Sequence, residues 1–211
     1  MEMHSKGKRI QNKPEKKRRK KGALILRAVF LTLLVILAAV CILGVIVYHR
    51  VISQTPDIST IDISPDGYAT FVYDDEGELM QKLNSAEGNR ILVSIDEIPK
   101  NMQHAVVAIE DARFYQHNGV DVRGMARALF NAVRSGFSRM EGASTITQQL
   151  LKNNVFTDWM EEGTWDSIKR KIQEQYLAVE LEKYLARQGQ DVKSVIMENY
   201  LNTVNFGSGA Y

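Results

Sequence analysis

Cysteine is almost missing: of 211 residues only Cys41 carries a thiol, and it lies inside an apolar run. Residues 51–211 therefore hold no disulfide framework and no thiol nucleophile. Cys41 is a small apolar filler. Charge is missing over Ala28–Tyr48, 21 residues in which Thr32 is the only clearly polar side chain. At about 1.5 Å per residue, a helix over that stretch is roughly 30 Å long, the thickness of a bilayer's hydrocarbon core. It lacks the polar face that a buried soluble helix of that length would show. It also lacks the short core and small-residue exit of a cleaved signal peptide, closing instead with Tyr48-His49-Arg50. The expectation is an uncleaved transmembrane anchor. Internal repeats are missing too, as is any low-complexity tract beyond a basic tail.

The net charge of +2 hides an asymmetry. Residues 1–50 carry 12 Lys/Arg against Glu2 and Glu15, a balance of +10, and residues 51–211 carry 15 against 23 Asp/Glu, a balance of −8. A basic tail alone could serve nucleic acid. Here Lys16-Lys17-Arg18-Arg19-Lys20-Lys21 directly precedes the apolar run, so the positive-inside rule excludes that reading and places the N-terminus in the cytoplasm. Everything after residue 50 is then extracytoplasmic, on a single-pass protein.

The remainder divides into 50–98, a stalk and small β-rich linker, and 99–211, a helical domain, after a 1–22 tail and a 23–49 anchor. Residues 51–65, with Pro56 and Pro65, read as the stalk. Thr70–Tyr73 and Glu78–Met80 read as a hairpin turning at Gly77, with Arg90–Val93 as a third strand. Pro99 suits a helix start, with Met102, Ala105, Val106 and Ile109 at helical spacing. Asp121 can cap a helix whose apolar stripe is Val122, Met125, Leu129 and Val133. That stripe, with Phe130, Phe137 and Arg123, Arg127, Arg134 and Arg139 alongside, suits contact with lipid headgroups. Ser144 or Thr145 can cap the next helix. Ile168–Leu185 is amphipathic through Ile172, Tyr176, Val179, Leu181 and Leu185, and Asp191 opens a last helix. The ending at Asn205–Tyr211 falls just after a helix and reads as a truncation.

Two runs, Glu110–Gly119 and Ala143–Asn153, pack more polar groups together than a core needs, since each one buried must find a partner. Joining two sugars from a glycosyl diphosphate needs a base for the attacking hydroxyl, cations for the departing diphosphate and exclusion of water. Glu110 ends the apolar run Ala105–Ile109, and such surroundings favour the neutral form of a carboxyl, which suits a group that must cycle a proton. Thr145, Gln149, Lys152 and Asn153 share one helical face, with Ile146, Leu150 and Leu151 turned to a core. Lys152 is the candidate for the diphosphate. Lys169-Arg170-Lys171 places three cations in a helix first turn, against the helix dipole, unless they bind phosphate. Glu174 lies one turn beyond Arg170 and either pairs with it or orients a metal or leaving group.

These runs resemble the ordered motifs of the peptidoglycan glycosyltransferases, family 51, found alone or as the first catalytic domain of class A penicillin-binding proteins. Glu110, Asp111, Phe114 and His117 match the first motif, and Ser144, Thr145, Gln148, Gln149, Lys152 and Asn153 fall in the second. Arg170, Lys171 and Glu174 match the third, and Ile196–Asn202 followed by Phe206-Gly207 resembles the fourth. The resemblance covers roughly residues 70–211. It implies a lysozyme-like, mainly α fold, Glu110 as catalytic base and Glu174 as the second catalytic carboxylate, with the others binding substrate. The implied reaction polymerises lipid II, a disaccharide-peptide on undecaprenyl diphosphate, into β-1,4 glycan strands with inversion. The implied setting is the bacterial cell membrane, with lipid II, the growing glycan, the membrane and other cell-wall synthesis proteins as partners, and Mg or Mn as an assisting ion.

Three departures stand out. Ala143 replaces the family's usual Gly, the loop Thr157–Ser167 is longer than usual, and no Arg matches the family's additional phosphate-binding Arg, which leaves Arg170 and Lys171 in its place. These residues include no transpeptidase domain with its Ser-x-x-Lys nucleophile. Two rival readings are a non-catalytic anchored scaffold and a lysozyme-like hydrolase. The scaffold has no need of Glu110 and Glu174, and the hydrolase none of Lys152, Arg170, Lys171 or an anchor.

Overall fold

The computed structural model describes residues 16–65, 67, 70–83, 90–138, 142–156 and 163–206, with side chains from residue 24 onward. Residues 1–15 of the basic tail, Arg139, positions 157–162 of the long loop and Gly207–Tyr211 lie outside the described residues. The chain divides into two compact units, 1–50 and 51–211. Helix α1, Lys16–Ile52, has no acidic residue in its first turn. From Leu24 to Ile52 it is long and apolar enough to cross a membrane.

The second unit is mainly helical, as expected. Strands β1 (Thr70–Tyr73) and β2 (Leu79–Leu83) pair antiparallel, with an irregularity between Val72 and Tyr73. Gly77 at φ +83° makes the turn, and the Asp74 carboxylate accepts from Glu76 N and Glu78 N. The third strand does not form: Arg90 makes an isolated bridge to Gly67, and Val93 pairs instead with an amide on the last helix. Nor is 51–65 a free stalk. Ile58, Ile61 and Ile63 pack against the core, and Asn154 Nδ2 donates to Ile63 O.

Helices α2 (Lys100–Glu110), α3 (Val122–Arg134), α4 (Ile146–Val155), α5 (Thr164–Arg187) and α6 (Val192–Thr203) follow. The core sits where α4 meets α5 and α6, around Ile146, Leu150, Leu151, Leu177, Leu181, Ile196 and Met197. Asp121 and Asp191 cap α3 and α6 as expected, accepting from Gly124 N and Ser194 N. Thr145 caps α4.

The apolar stripe of α2 is mostly exposed, apart from Val106, and that of α3 is exposed as lipid contact requires. On α2 the buried residues are Gln103 and Val107, not the Met102–Ile109 stripe, because Gln103 Nε2 donates to Ile95 O and Ile98 O. On α3 the buried residues are Gly124 and Ala132, while Val122, Leu129, Phe130 and Val133 are each more than half exposed. A side chain at 124 has no room: a Cβ there would sit 2.4 Å from Asp121 Oδ2. On α5, Leu181 and Leu185 of the expected stripe are buried, Ile172, Tyr176 and Val179 are half-buried, and Glu174, Leu177 and Ala178 complete the inward face. Since α5 starts at Thr164, the cationic triplet is not in its first turn, which holds Asp166 in keeping with the dipole.

Candidate active site

The end of α2 is tied to the start of α4. Asp111, buried, accepts the Nε2–H of His117 with both oxygens at 3.0 Å and Ile146 N at 3.1 Å. An anionic acceptor at a helix N-terminus is where the dipole favours it. Thr145 Oγ1 accepts from Gln148 N and donates to Gly119 O at 2.7 Å. Gly119 has φ +84°, and a Cβ there would lie 2.4 Å from Ala178 O, so the turn lies directly against the α5 backbone. These bonds fix where Glu110, one residue before Asp111, leaves its helix.

Glu110 is not enclosed by its apolar run. Ala108 and Ile109 are exposed, Ile109 by 81%, because burial of Gln103 and Val107 turns residues 108–110 outward. The carboxylate instead faces α4, where Gln149 Nε2 donates to its Oε2 at 2.9 Å. Ile109, Glu110, Gly142, Ser144, Gln149, Lys152, Lys171 and Glu174 line one cleft of about 380 Å³. An exposed carboxylate, two lysines, an amide and a hydroxyl thus share one cleft, a donor set suited to a hydroxyl nucleophile and an anionic leaving group.

Glu174 is fully buried and held by two cations. Arg170 Nη1 donates to Oε1, and Lys171 Nζ donates to Oε2 at 2.8 Å and to Ser144 Oγ at 2.8 Å. Of the two sequence alternatives, pairing is the one formed, and it includes Lys171 as well as Arg170. Both carboxylate oxygens are engaged by cations, and no cluster of three His, Cys, Asp or Glu capable of holding a metal occurs among the described residues. Mg is usually held by one or two carboxylates together with waters and substrate phosphates; with both oxygens of Glu174 taken by cations, Glu110 is the other carboxylate lining the cleft, and no step is derived through a metal.

The other candidates divide cleanly. Ser144, Gln149, Lys152 and Lys171 reach the cleft, and Asn153 is half-buried on the same helix. Asp111, Phe114, His117, Thr145 and Gln148 go into the scaffold: Phe114, Thr145 and Gln148 are buried, and Asp111 and His117 bond each other. A larger hollow of about 500 Å³, between the 113–123 turn and Val179, has its main charges paired internally as Arg113–Asp121.

Three residues that sequence reasoning did not single out, Glu182, Lys193 and Thr147, hold this arrangement, joined by Tyr200 of the fourth-motif run. Lys193 Nζ donates to both oxygens of buried Glu182 at 2.8 and 2.7 Å and to His117 O at 2.8 Å, and lies 4.5 Å from the Phe114 ring centroid. Thr147 Oγ1 adds a bond to Glu182. Tyr200 on α6 donates to Gln149 Oε1 at 3.1 Å. The signal for Glu182 was available, a charge on the inward face of an amphipathic helix, which requires a partner.

The transglycosylase family model matches residues 76–211. The chain belongs to the transglycosylase family. Its curated relatives include penicillin-binding protein 1A of Clostridium perfringens strain 13, 37% identical over 207 residues, which are 96% of this chain and 28% of that protein. Penicillin-binding protein 1A of Clostridium novyi strain NT is 42% identical over 163 residues, 76% of this chain and 18% of that one. Penicillin-binding protein 1A/1B of Bacillus subtilis strain 168 is 35% identical over 195 residues, 92% and 20% respectively. The chain spans less than a third of these relatives' length. The matched segment of this transglycosylase includes β2 and α2–α6, and with them every residue lining the cleft.

Proposed function

We propose that this transglycosylase is the glycan-polymerising part of a peptidoglycan glycosyltransferase acting on lipid II. The observation that carries the reading is the cleft in which Glu110 meets Lys152, Lys171, Ser144 and Gln149. Glu110 takes the proton from the acceptor sugar's 4-hydroxyl. The oxygen attacks the anomeric carbon, the bond to the diphosphate breaks, and undecaprenyl diphosphate leaves with its charge met by Lys152 and Lys171. Attack opposite the leaving group gives the β-1,4 link with inversion. Glu174 neither gives nor takes this proton; bonded to Arg170 and Lys171, it fixes Lys171 at the cleft, so its contribution is the position of that cation.

Loss of a general base typically costs about 10²–10⁴ in rate. Glu110→Gln is expected to lose lipid II polymerisation on that scale while unfolding at the wild-type temperature, since the carboxylate is exposed. Polymerisation by the Gln variant at more than half the wild-type rate would refute the assignment.

Helix α1 is the proposed single membrane span, with the N-terminus cytoplasmic and residues after 50 outside the bacterial cell. Its apolar length and the basic run before it support that orientation. The outward face of α3 is a second proposed contact with lipid. Val122, Leu129, Phe130, Val133 and Phe137 are exposed there, with Arg123, Arg127 and Arg134 on the same helix. Liposomes with anionic lipid should float residues 51–211, and a Phe130→Ser/Phe137→Ser pair should float less. Equal flotation of the two would rule out contact through this face.

A further inference from the structure

Tyr200 sits on α6 with its ring in the core and its hydroxyl 3.1 Å from Gln149 Oε1. Gln149 in turn presents Nε2 to Glu110 Oε2 at 2.9 Å. The three form a line from a rigid core residue, through a half-buried amide, to an exposed carboxylate. The direction of each bond is forced. An ionised carboxylate only accepts, so Gln149 must turn its NH₂ toward Glu110. Its carbonyl oxygen then faces Tyr200, which must be the donor. A flipped amide would set its oxygen against the carboxylate and leave the tyrosine hydroxyl to face an NH₂.

We propose that Tyr200 is a positioning residue for the glycosyl-transfer step: its hydroxyl locks the Gln149 amide in the one orientation that holds the Glu110 carboxylate aimed into the cleft. The inference rests on the reading of Glu110 as the base. Glu110 needs such a lock because it ends α2 and little surrounds it, so its side chain has rotamers to choose from. The charged groups lining its cleft are Lys152 from α4 and Lys171 and Glu174 from α5. The lysines line the same cleft, and Gln149 is the neutral donor that fixes one oxygen. Burial and the nearby Glu110 charge push the Tyr200 hydroxyl up to about 12, so it remains a donor wherever the enzyme works. A misplacement of the base removes rate and leaves substrate binding in place.

The test uses the natural full-length protein and lipid II, with kcat and KM measured for wild type, Glu110→Gln, Tyr200→Phe, Gln149→Ala and the Tyr200→Phe/Gln149→Ala double variant. Thermal midpoints are recorded in parallel. Tyr200→Phe keeps the ring and its packing, and is expected to lower kcat by about 3–10-fold, the scale of one net hydrogen bond, with KM unchanged. Gln149→Ala should lower kcat at least as far. The decisive result is the double variant, which should match Gln149→Ala, because a hydroxyl acting through the amide has nothing to act on once the amide is gone. A purely structural tyrosine would instead add its full cost in both backgrounds and lower the midpoint with it. Unchanged kcat in Tyr200→Phe, an effect confined to KM, or full additivity overturns the inference. Polymer from wild type but not from Glu110→Gln, together with any of those three results, would leave the proposed function standing. Absence of polymer from wild type, or full activity of Glu110→Gln, would remove both.

Discussion

Helix α5 carries two buried carboxylates eight residues apart, Glu174 and Glu182, and both are matched to lysine. Their surroundings differ. Glu182 is closed in: Lys193, Thr147 and, through Lys193, the carbonyl of His117 and the ring of Phe114 use up its valences. Glu174 is held from one side by Arg170 and Lys171, and Lys171 continues past it to Ser144 and the cleft, with its side chain 39% exposed. A buried ion pair is weak evidence for stability and, in one helix, says little about function. What separates the two is whether the cation still has a hydrogen to give outward. Lys193 spends its donors on the protein, and Lys171 keeps a face toward the space where a diphosphate would lie.

The sharpest way to break the comparison is to strand one charge in the closed knot. Glu182→Ala leaves Lys193 half-sealed without its anion, and should cost about 3–5 kcal/mol of folding stability in denaturant titration. Replacing both, Glu182→Met with Lys193→Met, should recover most of that loss. If the single variant unfolds like wild type, the knot is not what fixes the His117 turn.

Lys152→Ala addresses the open side. A charge-assisted contact of this kind is worth roughly 1.5–3 kcal/mol, so kcat/KM for lipid II should fall by about 10–150-fold. Lys152→Arg should lose less, since the charge remains, and neither should move the thermal midpoint by more than a surface change does. Unchanged donor kinetics in the Ala variant would make the lysine a solvated one.

The smallest expected effect is on pH dependence, outside both regions. The Arg113 guanidinium beside Asp121, aided by Gly124 N, holds that carboxyl below the usual carboxylate range. A folded-state value below the unfolded one contributes stability that is complete above the unfolded value, about 3.9, and is lost as pH falls through the folded one. Wild type should therefore lose stability below about pH 4 more steeply than Asp121→Asn. Parallel acid limbs in the two proteins would contradict the pairing.

The sequence was most readable where a pattern and a cap agreed. On α4 the apolar residues Ile146, Leu150 and Leu151 are buried and Lys152 lies toward the cleft, as the 3.6-residue period requires. On α2 the apolar residues at helical spacing are mostly exposed, Ile109 among them, whereas on α3 the exposure of Leu129 is what lipid contact requires; in neither helix did the stripe reveal the inward face. A helical stripe gives a direction on the helix and no information about what lies opposite it. The inward positions there are taken by Gln103, Gly124 and Ala132, chosen by hydrogen bonding and close approach, which hydropathy does not register. The same limit hid Tyr200, which reads as an apolar filler until its hydroxyl is seen to meet Gln149.

The bond from Ile146 N to Asp111 draws together two points 35 residues apart, and Thr145 to Gly119 cinches the same place from inside. The chain that leaves after Gly119 and returns at Thr145, carrying α3, is therefore an excursion with a drawn neck. Loop-closure cost rises only slowly with length, so such an excursion can be lengthened, shortened or exchanged at small thermodynamic expense while its neck stays tied. Substitutions on the exposed face of α3 can accumulate with no change in the spacing between Glu110 and the start of α4.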